Sequence, residues 1–250
     1  MNPTIDLGSE SNTSPETFDQ QNMQSIEADV WDREYDTLRV IPSSTRALPS
    51  KPLLLFSELL NFGRFERVLD AGCGIGRNAI YLAQKGCQVE AVDLSSAALR
   101  TLNSTALSLG LQERITTHNC KLESVFPFES GFFDLVLDSY VFCHFTDDAF
   151  RENYRKELHR VTKPGGVVFS STFSFADEYY QKILSNGGGK LNLVTDPNNG
   201  ITKRLYTEQE IKEFFSAAFD LLYFVNFQFR DVVLGEVYLR SIFAMVLGRK

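Results

Sequence analysis

The apolar positions of this chain change their period along its length. Residues 1–22 are rich in Ser, Asn, Asp, Glu, Gln and Thr with almost nothing to bury, so they cannot offset the entropy of ordering and are expected to be a disordered tail. From Met23 to Leu38 the spacing becomes helical, with Ile26, Val30, Trp31 and Tyr35 near one face. Ser50-Lys51-Pro52 reads as a cap with proline in the first turn of an apolar helix over Leu53–Phe62. Short apolar runs then alternate with amphipathic stretches. Arg67–Ala71, Gln88–Asp93, Ile115–His118, Phe133–Ser139 and Val167–Ser171 read as strands. Between them lie helices over Gly76–Lys85, from the Ser95 cap to Leu109, and from Asp147 or Asp148 to Val161. Thr207-Glu208-Gln209-Glu210 is a capping box for a helix over Ile211–Ala218. Leu221–Phe229 and Val237–Leu247 flank Gly235 and read as an antiparallel hairpin.

This rhythm predicts an α/β fold. Right-handed crossovers make the first five strands parallel in one doubly wound sheet with helices on both faces, and a ligand belongs where the strand order reverses. Residues 173–206 break the pattern. Gly187-Gly188-Gly189 and Asp196-Pro197-Asn198-Asn199-Gly200 are loop signals, and a long irregular segment after a strand's carboxyl end is more often a lid or substrate loop than plain surface. The expected organisation is a tail over 1–22, an N-terminal helical lid over 23–62, and a catalytic domain over 63–250 carrying the 173–206 insertion.

Val68-Leu69-Asp70-Ala71-Gly72-Cys73-Gly74-Ile75-Gly76-Arg77-Asn78 has the form strand, glycine loop, helix start, and Asp93 closes the next strand. Glycines let a backbone turn sharply and approach a ligand, and a carboxylate at Asp93 can accept hydrogen bonds from a ribose diol. Two cofactors satisfy this geometry. A dinucleotide would place its pyrophosphate on the loop, where Asp70 adds repulsion. S-adenosylmethionine brings an ammonium and a sulfonium to the same place, and Asp70 is then attractive. Charge favours the second.

Four blocks, Asp70–Gly76, Asp93-Leu94-Ser95, Phe133-Asp134-Leu135-Val136 and Leu158–Gly166, stand in an order that resembles the class I S-adenosylmethionine-dependent methyltransferases over about residues 65–172. The resemblance implies a seven-stranded, mostly parallel sheet whose last strand is antiparallel. It implies that Asp70, Gly72, Cys73, Gly74, Gly76, Asp93 and Leu94 contact the cofactor, with Asp93 on the ribose hydroxyls. It also implies that Cys120-Lys121-Leu122 flank the adenine. Lys121 and Leu122 stand where many relatives carry an acid, with Glu123 just beyond. The expected reaction is methyl transfer to O, N or S of a small molecule, S-adenosyl-L-homocysteine being the second product. Methylation of a protein or peptide amine is the alternative, and a NAD(P)-dependent oxidoreductase or a non-catalytic binding module stands further off.

The run Asp138-Ser139-Tyr140-Val141-Phe142-Cys143-His144-Phe145 leaves the carboxyl end of the fourth strand, where the family places cofactor and acceptor contacts. His144 is a candidate base, against a bland reading as a histidine packed between Phe142 and Phe145. Tyr140 is a second catalytic candidate and a candidate acceptor contact, and Asp138 a contact to the cofactor's methionine end. Trp31, Tyr179, Tyr180, Arg204 and Tyr206 are candidates for closing over the acceptor, and Tyr35 over the cofactor, against a reading of ordinary packing.

Charge narrows the partners. Asp6, Glu10, Glu16, Asp19, Glu27, Asp29 and Asp32 have no compensating Lys or Arg within residues 1–32 and account for the whole formal charge of −7. The body is neutral, a poor electrostatic footprint for nucleic acid, and a small-molecule acceptor is expected. Cys73, Cys87, Cys120 and Cys143 have no metal-ligand or redox-pair spacing and read as reduced thiols. No metal site, signal segment or membrane span is expected, and the reading is a cytoplasmic monomer or homodimer.

Overall fold

The computed structural model describes residues 28–250; the expected tail over 1–22 and the first turn of the 23–38 helix, Ile26 included, lie outside the described residues. The sheet has seven strands: β1 Arg67–Ala71, β2 Gln88–Asp93, β3 Ile115–Asn119, β4 Phe133–Ser139, β5 Thr162–Phe173, β9 Phe219–Val233 and β10 Glu236–Arg249. Three short strands of the insertion, β6 Gly189–Lys190, β7 Leu193–Thr195 and β8 Thr202–Arg204, form a sheet of their own. The large sheet runs β3-β2-β1-β4-β5-β10-β9. Strands β1 to β5 are parallel, and β10 runs antiparallel to both β5 and β9. The order reverses between β1 and β4, so their carboxyl ends open a crevice.

Both faces of the sheet are covered, and the side chains sort by alternation. Val68, Leu135, Leu137, Phe169 and Val246 point to one core with the helices Lys51–Leu60, Arg77–Gln84 and Ser96–Ser108. Leu69, Val136, Val168, Phe243 and Met245 point to the other, with Asp148–Val161 and Glu208–Ser216. The expected caps hold for three helices. Ser95 Oγ accepts from the Ala98 amide, Asp147 from Ala149 and Phe150, and Thr207 forms the full box with Glu210. Ser50 departs from expectation: its side chain does not cap, and its amide donates to Asn78 Oδ1 at 2.9 Å, tying the first helix to the one after the glycine loop.

Two regions differ from the pattern reading. The hairpin is longer than its apolar runs, because β9 and β10 continue past the end of β5 to a two-residue turn, Leu234-Gly235, with both φ angles positive. The 173–206 segment is not irregular. It holds the helix Glu178–Ser185, capped by Asp177, and the β6–β8 sheet, with its own core of Tyr179, Tyr180, Val194 and Leu205 against Val233 and Tyr238 of the hairpin. Its strands are too short to show a period in the sequence.

Candidate functional site

A cavity of about 540 Å³ opens at the carboxyl ends of β1, β2 and β4. Its floor is the glycine loop. Gly72, Gly74 and Gly76 have φ of 68°, 55° and 82°, the left-handed region that favours glycine. A Cβ on Gly72 would stand 2.2 Å from Val141 Cγ2, and one on Gly74 would stand 2.6 Å from Tyr35 Oη. The loop is therefore pressed from both sides, by the segment after β4 and by the N-terminal segment.

Asp93 braces the loop. Its Oδ2 accepts from the Gly74 amide at 2.7 Å and its Oδ1 from the Ser95 amide at 2.8 Å, so each oxygen keeps a lone pair for a diol. Burial pushes its pKa up to about 6, against those two amides. Asp70 sits one layer deeper, off the cavity wall. Neither of its oxygens has a hydrogen-bond partner of good geometry among the described residues, and burial pushes its pKa up to about 7. A carboxylate so placed projects its field upward through the loop, and a cation on the floor relieves it. The fit to S-adenosylmethionine is thus one of charge at Asp70 and of hydrogen bonding at Asp93.

The N-terminal segment covers this end. Residues 28–33 are α-helical and Glu34–Leu38 form a π-helical turn. Asp32 grips the start of the helix after β2, accepting from Ser95 Oγ at 2.5 Å, the Ala97 amide at 3.0 Å and Ser96 Oγ at 3.1 Å. Trp31 stacks on Tyr35 with ring centroids 6.1 Å apart and meets the His144 imidazole edge-on at 4.8 Å.

The wall at the other end is aromatic. Tyr140 leaves β4 with a positive φ of 67°, unusual for a non-glycine residue, and its ring stacks on Phe173 at 4.9 Å. Phe173 meets Tyr180 edge-on at 4.8 Å. Among these rings stand His144, Lys203 and Arg240. Burial, then the Lys203 charge, push the His144 pKa down to about 3, so the ring is neutral; its Nδ1 has no partner among the described residues. Arg240 is compensated, its Nε donating to Asp177 Oδ2 at 2.9 Å.

The sequence candidates divide. Trp31, Tyr35, Gly72, Asp93, Leu94, Cys120, Leu122, Tyr140 and His144 share the one cavity, and Tyr180 joins them. Cys73, Gly74 and Gly76 shape the loop from behind, and Lys121 is off the wall. Asp138 lies off the cavity wall and is engaged from within: Oδ1 accepts from the Val141 and Phe142 amides and Oδ2 from Ser170, which fixes the turn after β4. Tyr179 donates to Asp196 at 2.8 Å and faces away. Arg204 binds the Thr146 carbonyl at 2.8 Å and Asp148, and Tyr206 stacks on Phe142 in the core. For Arg204 the reason is strand alternation, which turns its neighbour Lys203 inward instead. The sequence reading missed Lys203, Arg77, Arg240 and Phe173, all on the wall, and the Asp32 grip. Lys203 had a signal: it stands between Ile201 and Leu205 on the apolar face of its strand.

A mixed seven-stranded sheet with this strand order, a glycine loop on its first strand and an acid on its second have the arrangement of the class I methyltransferase fold. Residues 68–166 match the family model described as a methyltransferase domain. The chain is 37% identical over 129 residues to a sarcosine/dimethylglycine N-methyltransferase of Halorhodospira halochloris, covering 51% of this chain and 45% of that protein. It is 33% identical over 114 residues to a malonyl-[acyl-carrier protein] O-methyltransferase of Enterobacter lignolyticus, covering 44% and 40%. The chain thus spans less than half the length of both. The solved structure of a Burkholderia thailandensis 1,6-didemethyltoxoflavin-N1-methyltransferase, with bound 1,6-didemethyltoxoflavin and S-adenosylhomocysteine, aligns with a TM-score of 0.64 at 21% identity, over 97% of this chain and 93% of that one, and shares its fold. The cofactor of the class is S-adenosylmethionine. No described helix is long and apolar enough to cross a membrane, and no described residues form a metal-binding cluster.

Proposed function

We propose that this chain transfers the methyl group of S-adenosylmethionine to a small-molecule acceptor. The observation that carries the reading is the continuity of one cavity from Asp93, through Tyr140 and His144, to the aromatic wall. When bound, S-adenosylmethionine would supply an activated methyl group at this site. Asp93 accepts the ribose hydroxyls on lone pairs that the Gly74 and Ser95 amides leave open. Asp70 and the loop favour the positive charge of the donor. The N-terminal segment is the lid, with Tyr35 on the loop and Trp31 bridging to His144, and it excludes water from the reacting atoms. Tyr140 and Phe173 hold the acceptor in one plane, where orientation supplies much of the acceleration. His144 receives a hydrogen bond at its free Nδ1. Its depressed basicity suits positioning better than proton abstraction.

The aromatic lining of the site and the small acceptors named for the Halorhodospira and Burkholderia proteins support a small acceptor. Calorimetric binding of S-adenosylhomocysteine, followed by mass spectrometry of a metabolite extract incubated with methyl-labelled cofactor, tests the function. A labelled product below the size of a peptide is expected; label found only on protein overturns the small-acceptor reading.

A further inference from the structure

Of the cations on the cavity wall, Arg46 and Lys51 pair with Asp231, Arg240 pairs with Asp177 and Arg77 lies in the field of Asp70, whereas Lys203 forms no ion pair among the described residues. It is 3% exposed, lines the cavity, and its Nζ has no hydrogen-bond partner among the described residues. Burying an unpaired ammonium is costly. The nearby acids are engaged. Asp196 accepts from the Tyr179 hydroxyl and from the Asn198 amide and Nδ2, and Asp177 holds Arg240 and the Ser241 amide. Glu34 is buried, with Oε1 accepting from the Ile41 amide and Ser44 and with Oε2 open, but it forms no ion pair with Lys203.

The Tyr180 ring lies 5.5 Å from Lys203 Nζ and stands edge-on to Phe173, which stacks on Tyr140, so an aromatic wall suited to a flat apolar body ends at a cation. We infer that the acceptor is a small conjugated or aromatic acid whose carboxylate, or an equivalent anionic oxygen, seats against Lys203. This rests on the reading of the cavity as a methyl-acceptor site. An anion there supplies the charge-assisted bond that Lys203 lacks and makes it the specificity determinant of the site.

The test uses protein saturated with S-adenosylhomocysteine and a graded series of aryl and alkenyl carboxylates, each paired with its neutral amide. Thermal shift and calorimetry are expected to show at least one acid bound about tenfold more tightly than its amide. Lys203→Met is expected to erase that preference while S-adenosylhomocysteine affinity and the unliganded melting temperature hold, since an apolar chain of similar length replaces a buried charge. Absence of acid-over-amide preference throughout the series overturns the inference, as does a preference that survives in Lys203→Met. So does a finding that Glu34→Gln and Lys203→Met cost equal stability and the double variant costs no more, because Lys203 then serves Glu34. Failure of the wild-type protein to bind S-adenosylhomocysteine strikes at the methyltransferase reading instead.

Discussion

Around Asp93 the ligand-facing groups are main chain or fixed by it, whereas around Lys203 they are long side chains from the N-terminal segment, the insertion and the hairpin. The donor end is rigid because two strand ends, a loop with positive φ angles and one carboxylate specify it together. The acceptor end is specified by packing between segments far apart in sequence, and His144 Nδ1 and Lys203 Nζ there have no hydrogen-bond partner among the described residues. The first arrangement serves one ligand; the second can be altered without touching the first.

The largest effect should fall at the donor end. Asp93→Ala removes both the ribose acceptor and the brace to Gly74 and Ser95. S-adenosylhomocysteine affinity is expected to fall about 100-fold, near 2.7 kcal/mol, by calorimetry. A loss of less than about threefold would show that the loop holds the nucleoside without it. Next is the pH dependence of stability. Burial lifts the Asp70 pKa to about 7, above the unfolded carboxylate value, so its contribution is fully present below that unfolded value and is lost as pH rises through about 7. The ligand-free melting temperature is expected to fall between pH 5 and pH 8, with Asp93 contributing in the same direction through its value of about 6. Asp70→Asn should flatten most of that fall while weakening cofactor binding; an unchanged slope would remove Asp70 from the account.

A smaller effect is expected at the lid. Asp32→Ala strips the helix start of its side-chain grip, at a cost of about 1 kcal/mol, and should speed amide exchange over residues 28–40. Exchange that stays at the wild-type rate would mean that Trp31 and Tyr35 alone hold the segment. The smallest effect sharpens the comparison within one strand. Arg204→Gln faces Thr146 and Asp148, so acid binding should change by less than about twofold, as for other partly exposed ion pairs, where Lys203→Met abolishes the preference.

The same division governs what could be read from the chain alone. Arg67–Ala71, Gln88–Asp93 and Phe133–Ser139 were legible to the residue, because a buried parallel strand between glycine or polar breaks admits little else. The glycine loop was legible because its backbone conformation restricts the residue type. The internal bonds of Asp138 were not legible, because a carboxylate turned to its own following amides looks in sequence like one turned to a ligand. Tyr179 was named alongside Tyr180, and Arg204 in place of Lys203, because facing depends on a phase of one residue, and the helix and strands of the insertion are too short to fix it.

The overhang of β9 and β10 has a consequence for how such a protein diversifies. Ile242–Gly248 pair with β5 and belong to the core, while Arg240, Asp231 and Phe229, further along the same hairpin, reach the cavity. One continuous ribbon therefore carries both the closing edge of the sheet and part of the acceptor wall. Substitutions or length changes near its tip can redraw substrate choice while the strand pairs beneath keep their register. In such a ribbon, novelty accumulates at the free end and inheritance is kept at the rooted one.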